Sequence, residues 1–163
     1  LDLNPPELFR NFPDTQESIK LSKPTMGENI VADYRSLGLS LRKHPLCLLR
    51  SELHKRKMVA AEYIKILPNG TSVRITGIVT SRQRPSTSSG VVFVTLEDET
   101  GYANVVIWRR IASEQRQVLL NAQLLGVKGY IERDGQVIHL IAKQLIDFSP
   151  LLGKLVTKSR NFH

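Results

Sequence analysis

The chain has 163 residues, 41% of them hydrophobic and 23% charged, with a formal net charge of +8. That is enough apolar material for a packed domain, and it argues against wholesale disorder. No apolar run approaches the ~20 residues needed to span a bilayer, and one cysteine, Cys47, allows neither an internal disulfide nor a cysteine-based zinc site.

The chain opens Leu1-Asp2-Leu3-Asn4-Pro5-Pro6, without an initiator Met and without the basic-then-apolar pattern of a secretory leader. The expectation is a piece of something longer, in a reducing cytoplasm. Residues 1–24 hold Pro5, Pro6, Pro13 and Pro24 with no sustained periodicity, so they read as an extended linker. Thr25-Met26-Gly27-Glu28 has the spacing of a capping box. It predicts a helix over Met26 to Leu37, with Ile30, Tyr34 and Leu37 on one face and Gly38 as its stop. Pro45 opens a second helix at a position where its missing N–H costs nothing. That helix runs to Lys57 with Leu46, Leu49 and Leu53 inward, and its basic last turn suits the dipole. The leucines around Cys47 predict a buried thiol. A short third helix, Ala60 to Leu67, stops at Pro68-Asn69-Gly70. Residues 25–68 are therefore a helical segment.

From Val73 the apolar period changes to 2. Strands are predicted over residues 73–80, 91–97, 102–109, 124–133 and 136–146. A polar loop fills Arg82 to Gly90. Tight turns fall at Asp98-Glu99-Thr100-Gly101 and Asp134-Gly135. A helix over Ile111 to Leu120 separates the third strand from the fourth. Three strands, a helix and two strands is the order of the OB-fold, a five-stranded Greek-key barrel. Such barrels bind oligonucleotides on the face around their second and third strands. The alternative is a three-stranded sheet beside an unrelated hairpin. The barrel is assigned to residues 69–149 and a basic C-terminal tail to 150–163.

On the second and third strands the aliphatic parity points inward, which turns Phe93, Tyr102 and Trp108 outward as stacking surfaces for bases. Packing beneath a loop or the preceding helices is the competing use for Phe93 and Trp108. Arg82 and Arg84, closing the first strand, are candidates for phosphate or base contact. Asn104 could hydrogen-bond a base edge, and Arg109 and Arg110 could meet the backbone. Lys154, Lys158 and Arg160 would add phosphate contacts from the tail. Gln144-Leu145-Ile146-Asp147-Phe148 has the look of a sliding-clamp peptide, but it overlaps a strand that the barrel needs. Asp98 and Glu99 are adjacent acids whose simpler use is the turn. The sequence shows no Ser/His/Asp arrangement, no phosphate-cradling glycine loop and no Cys/His cluster, so no catalytic residue is assigned.

Two resemblances sharpen this reading. Asp33 to Leu46 is similar to the "GLSL…HP" stretch that leads into an OB domain in bacterial C-family DNA polymerases. Arg82-Gln83-Arg84-Pro85, Gly90 to Gly101 and Ser159-Arg160-Asn161-Phe162-His163 resemble the damage-inducible, error-prone branch of that family, the paralogues of the replicative α subunit. The resemblance implies a DNA-directed DNA polymerase of translesion synthesis as the parent. Mg²⁺ would be held by palm carboxylates that lie outside this sequence. It also implies partners: single-stranded DNA, an inactive Y-family-like polymerase and a RecA-like accessory factor, with the sliding clamp reached indirectly. Separately, Phe93 to Asp98 and Gly101 to Ile107 resemble the anticodon-binding OB domains of aspartyl- and lysyl-type tRNA synthetases. There the aromatic at the Phe93 position stacks on a base, and a glutamine stands where Asn104 is. Two functional expectations follow: a non-catalytic module that binds single-stranded DNA, and, as its alternative, a module that recruits protein partners.

Overall fold

A computed structural model of the chain describes residues 44–160, together with the backbone of a strand at Gln16–Ser18. The helix expected over Met26 to Leu37 lies outside the described residues. The elements in chain order are β1 (Gln16–Ser18), α1 (Pro45–Lys55), a 3₁₀ helix (Ala61–Ile66), β2 (Ser72–Pro85), β3 (Val92–Asp98) and β4 (Gly101–Ile107). They continue with α2 (Arg109–Glu114), α3 (Arg116–Asn121), β5 (Leu124–Asp134), β6 (Val137–Asp147) and α4 (Ser149–Arg160).

Strands β2 to β6 close into a five-stranded barrel. The order is β1-β2-β3-β4-β6-β5, and β5 returns to pair with β2. All pairings are antiparallel except β4 with β6, where Val105 and Val106 face Leu140 and Ile141 in parallel register. This is the OB-fold that the element order predicts. Alternation sets the interior. Val92, Val94 and Leu96 of β3, Ala103, Val105 and Ile107 of β4, and Leu125, Val127 and Ile131 of β5 all point into one buried core. Leu119 and Ala122 from the α3 end, and Ala61 and Ile64 from the 3₁₀ helix, join it.

Two bulges interrupt the ladders, one between Val79 and Ser81 on β2 and one at Lys128/Gly129 where β5 meets β6. A bulge adds a residue to one strand and so re-aims the side chains beyond it. Gly129 sits at the second bulge because a Cβ there would lie 2.0 Å from the Ile141 carbonyl oxygen.

A second core lies outside the barrel. Leu46, Leu49 and Leu53 of α1 pack with Leu151 and Leu152 of α4 over Ile78, Leu124 and Phe148. The spacing of these leucines along α1 turns Cys47 to solvent, which corrects the expectation of a buried thiol. The helix spends its i, i+3, i+7 stripe on the core, and Cys47 and the 42%-exposed Leu48 fall on the other side.

Four further differences from the sequence reading have local causes. Strand β2 continues through Arg82 to Pro85 because β1 pairs with Gln83–Pro85, within the stretch read as loop; β1 itself falls in the segment read as linker. The helix expected over Ile111 to Leu120 breaks into α2 and α3 at Gln115, whose side-chain oxygen accepts the Leu145 N–H at 2.8 Å. The basic tail begins as α4, held where Asp147 Oδ1 accepts the Ser149 N–H at 2.9 Å. And α1 stops at Lys55, two residues short of the expected end.

Candidate nucleic-acid interface

The outer face of β3 and β4 is the surface on which the sequence placed its stacking residues. Parity behaves as expected. Phe93, Val106 and Ile141 share the outward side, in register across β3, β4 and β6. What covers them does not. Phe93 is only 7% exposed and packs with Val91, Val106 and Ile141, flanked by Trp108 and Tyr130. The expectation of an exposed ring at Phe93 is therefore corrected: in this conformation its face is not open to a base. Trp108 is half-buried at the start of α2 and belongs to the same cluster. Packing is its use too.

Arg82 is corrected as well. The bulge after Val79 brings Arg82 opposite Val94, on the core-facing parity. Its guanidinium donates from Nε to the Leu119 carbonyl at 2.7 Å and from Nη2 to the Ala122 carbonyl. These are the carbonyls left open at the end of α3, where a cation also suits the helix dipole. The side chain expected to meet phosphate instead fastens α3 to β2.

The remaining candidates are exposed. Tyr102 is 65% accessible at the β3–β4 turn, and Asn104 lies two residues on, with the same outward parity. Arg84 is exposed near the end of β2. Arg109 is exposed, and its stem lies against Gly90, whose φ of +90° suits glycine; a Cβ there would stand 3.0 Å from Arg109 Cγ. So the structure leaves Arg84, Tyr102, Asn104 and Arg109 exposed, buries Phe93, and engages the half-buried Arg82 and Trp108 within the fold.

The turn acids keep the turn role read from the sequence and add a tie to the helices that the sequence reading missed. Asp98 is 4% exposed. Its Oδ1 accepts from the Thr100 N–H (2.7 Å), the Thr100 hydroxyl (2.6 Å) and the Gly101 N–H (3.1 Å). Its Oδ2 accepts from the Ala61 N–H at 2.7 Å and from Arg50 at 3.3 Å. Glu99 also binds Arg50, accepting from Nε at 2.9 Å and from Nη2, and this pairing holds the Arg50 guanidinium above its already high range. One residue earlier on β3, Glu97 accepts from His44 Nε2 at 3.1 Å while His44 Nδ1 accepts the Leu46 N–H at the start of α1. The hairpin tip, α1 and the 3₁₀ helix are thereby tied at one point. The signal was an arginine forty-nine residues from its partner, and no local spacing reveals that.

Two titrating groups are moved by burial. His139 is buried on β6 and held below its ordinary 6.5, with Asp134 opposing. Glu132, opposite His139 in the β5–β6 register, is raised by burial and then by Asp134. Among the described residues no three His, Cys, Asp or Glu side chains cluster to hold a metal. Gln144 to Phe148, the clamp-like peptide, closes β6 with Leu145 and Phe148 buried. Phe148 lies against Gly126, where a Cβ would come within 2.4 Å of its ring.

A closed barrel of this order is an OB-fold, and residues 73–148 match the family model described as an OB-fold nucleic acid binding domain. Along most of its length the chain is similar to one stretch of the error-prone DNA polymerases. It is 52% identical over 157 residues to the error-prone DNA polymerase of Dechloromonas aromatica (strain RCB), covering 96% of this chain and 15% of that protein. It is 48% identical over 157 residues to that of Azoarcus sp. (strain BH72), with the same coverage. The chain thus spans about 15% of the length of the curated relatives it matches. Among solved structures, the asparaginyl-tRNA synthetase of Pyrococcus horikoshii is similar at 18% identity with a TM-score of 0.49, over 56% of this chain and 23% of that one.

Proposed function

We propose that this chain is a non-catalytic module that holds single-stranded DNA for an error-prone DNA polymerase acting in translesion synthesis. The observation that carries the reading is an OB barrel set inside a chain that aligns over 96% of its length with such polymerases. On the β3–β4 side the contacts would come from Tyr102, as a stacking ring, and Asn104, with Arg84 and Arg109 on the phosphates. Phe93 and Trp108 pack in the neighbouring cluster on that side, and Arg82 fastens α3 to β2. Nucleotide transfer, with its Mg²⁺, belongs to parts of such polymerases beyond this stretch.

Binding of a labelled oligothymidylate to the full chain, followed by fluorescence anisotropy, tests the proposal. Affinity should be measurable at low salt and should fall steeply as salt rises, because phosphate neutralisation releases counterions. No binding at low salt sinks it.

The second reading, a module that recruits an inactive Y-family-like polymerase or a RecA-like factor, is favoured by one observation: the strongest stacking ring and one arginine are used inside the fold. Capture of either partner that excess single-stranded DNA leaves unchanged supports that alternative.

A further inference from the structure

A different side of the barrel carries a feature that none of the sequence candidates touched. A cavity of about 520 Å³ opens on the outer face of β2 and β5, beside the 3₁₀ helix. Lys57, Arg74, Lys128 and Lys143 line it, and no acidic residue does. Tyr63, 47% exposed, lines the same space.

Three observations make this more than a scatter of solvated charges. First, the cations are gathered by the ladder. Arg74 and Lys128 are direct partners across β2 and β5, and Lys128 pairs with Gln144 of β6; neighbouring strands bring such side chains to about 5 Å. Second, the bulge puts Lys143 there. Gly129 faces Ala142 and Lys128 faces Gln144, which leaves Lys143 as the extra residue, exposed, with its ammonium 5.5 Å from the centre of the Tyr130 ring. Without the bulge, alternation would not expose both Lys143 and Gln144. Third, none of the four is ion-paired among the described residues, whereas Arg50, Arg56 and Arg110 all are. Like charges held together without counter-charges raise a positive potential in a concave, partly apolar space, and that attracts a polyanion.

We infer that this cavity is a phosphate track for single-stranded DNA, with the backbone against Lys57, Arg74, Lys128 and Lys143 and one base stacked on Tyr63. The inference rests on the proposed function and extends it from the β3–β4 side to the β2–β5–β6 side. A flexible single strand can follow a groove of this kind, and the exposed ring suits an unpaired base, which a duplex does not offer.

The test is a salt titration of oligothymidylate binding to the full chain, comparing the unmodified protein with Arg74→Ala/Lys128→Ala/Lys143→Ala. Each lost phosphate contact lowers the log–log salt slope by about 0.7 for a single strand, so the triple variant should lose about 2 in slope. Tyr63→Ala should weaken binding about tenfold and leave the slope alone. Should the triple variant melt early, Lys57→Ala/Lys143→Ala, both at exposed positions, gives the same reading with a slope loss of about 1.4. An unchanged slope in folded variants of a protein that does bind overturns this inference and leaves the proposed function standing. A parent protein that binds no oligonucleotide removes both. Equal displacement of the DNA by polyglutamate, or tighter binding of duplex through the same residues, overturns the assignment to single strands.

Discussion

Two outward faces of one barrel use their chemistry in opposite ways. On the β3–β4 side the groups best suited to nucleic acid are turned to structure: Phe93 fills a small apolar cluster and Arg82 holds the end of α3. On the β2–β5–β6 side four cations around a cavity form no ion pair among the described residues. Side-chain type alone does not separate the two faces. An arginine near barrel carbonyls is a fastener, and an arginine beside two lysines with no acid in reach is a candidate for a polyanion. The neighbours that decide between them come from strands and helices distant in sequence.

The comparison can be broken in order of expected effect. The largest belongs to Asp98→Ala. Removing a buried carboxylate strands the Ala61, Thr100 and Gly101 N–H groups and leaves Arg50 with Glu99 alone. Loss of about 3 kcal/mol is expected in urea unfolding. A loss under about 1 kcal/mol would show that the knot at the hairpin tip is not what joins the helices to the barrel.

Phe93→Ala comes next, at about 3 kcal/mol or somewhat less, since its cluster is small. Its oligonucleotide affinity, measured where the variant is folded, should stay within about twofold of the parent protein. A drop of the size that a lost stacking partner gives, about tenfold or more, would restore Phe93 as a contact and erase the contrast between the faces.

The smallest effect is a pH dependence. Burial holds His139 below its ordinary 6.5 in the fold, so the unfolded chain takes up the proton first. Stability from this group is complete above about 6.5 and is lost as pH falls through the lower folded value. Glu132, raised in the fold, acts with the opposite sign at the acid end. The difference between the parent and His139→Gln isolates the histidine. Thermal melts from pH 7.5 to about 5.5 should fall in the parent and flatten in the variant. Parallel curves would refute the assignment.

Much of the barrel was legible because alternation is a local signal. Val92, Val94 and Leu96 announce a face whatever lies elsewhere. Parity also gave the direction of Phe93. It could not give exposure, because a buried outer face reads like an open one until its cover is known. The fate of Arg82 was hidden by the bulge after Val79, since one inserted residue reverses every side chain beyond it and carries no composition of its own. Helix α4 was obscured by Gly153 and the tail's charge, although Leu151 and Leu152 are buried against α1. The family resemblance reached the error-prone polymerases, to which the chain is similar at 52% and 48% identity, and it did so on motifs. It was silent about Lys128 and Lys143, whose meaning depends on being brought together across two strands.

The bond network at Asp98 has a mechanical consequence. A β-turn usually swings like a loose handle, whereas this one is bolted to α1 through Arg50 and to the 3₁₀ helix through the Ala61 N–H. A pull on α1 is thus delivered to the hairpin as rotation of a rigid arm rather than absorbed in slack. Whatever grips α1 would steer where the barrel points its outer faces.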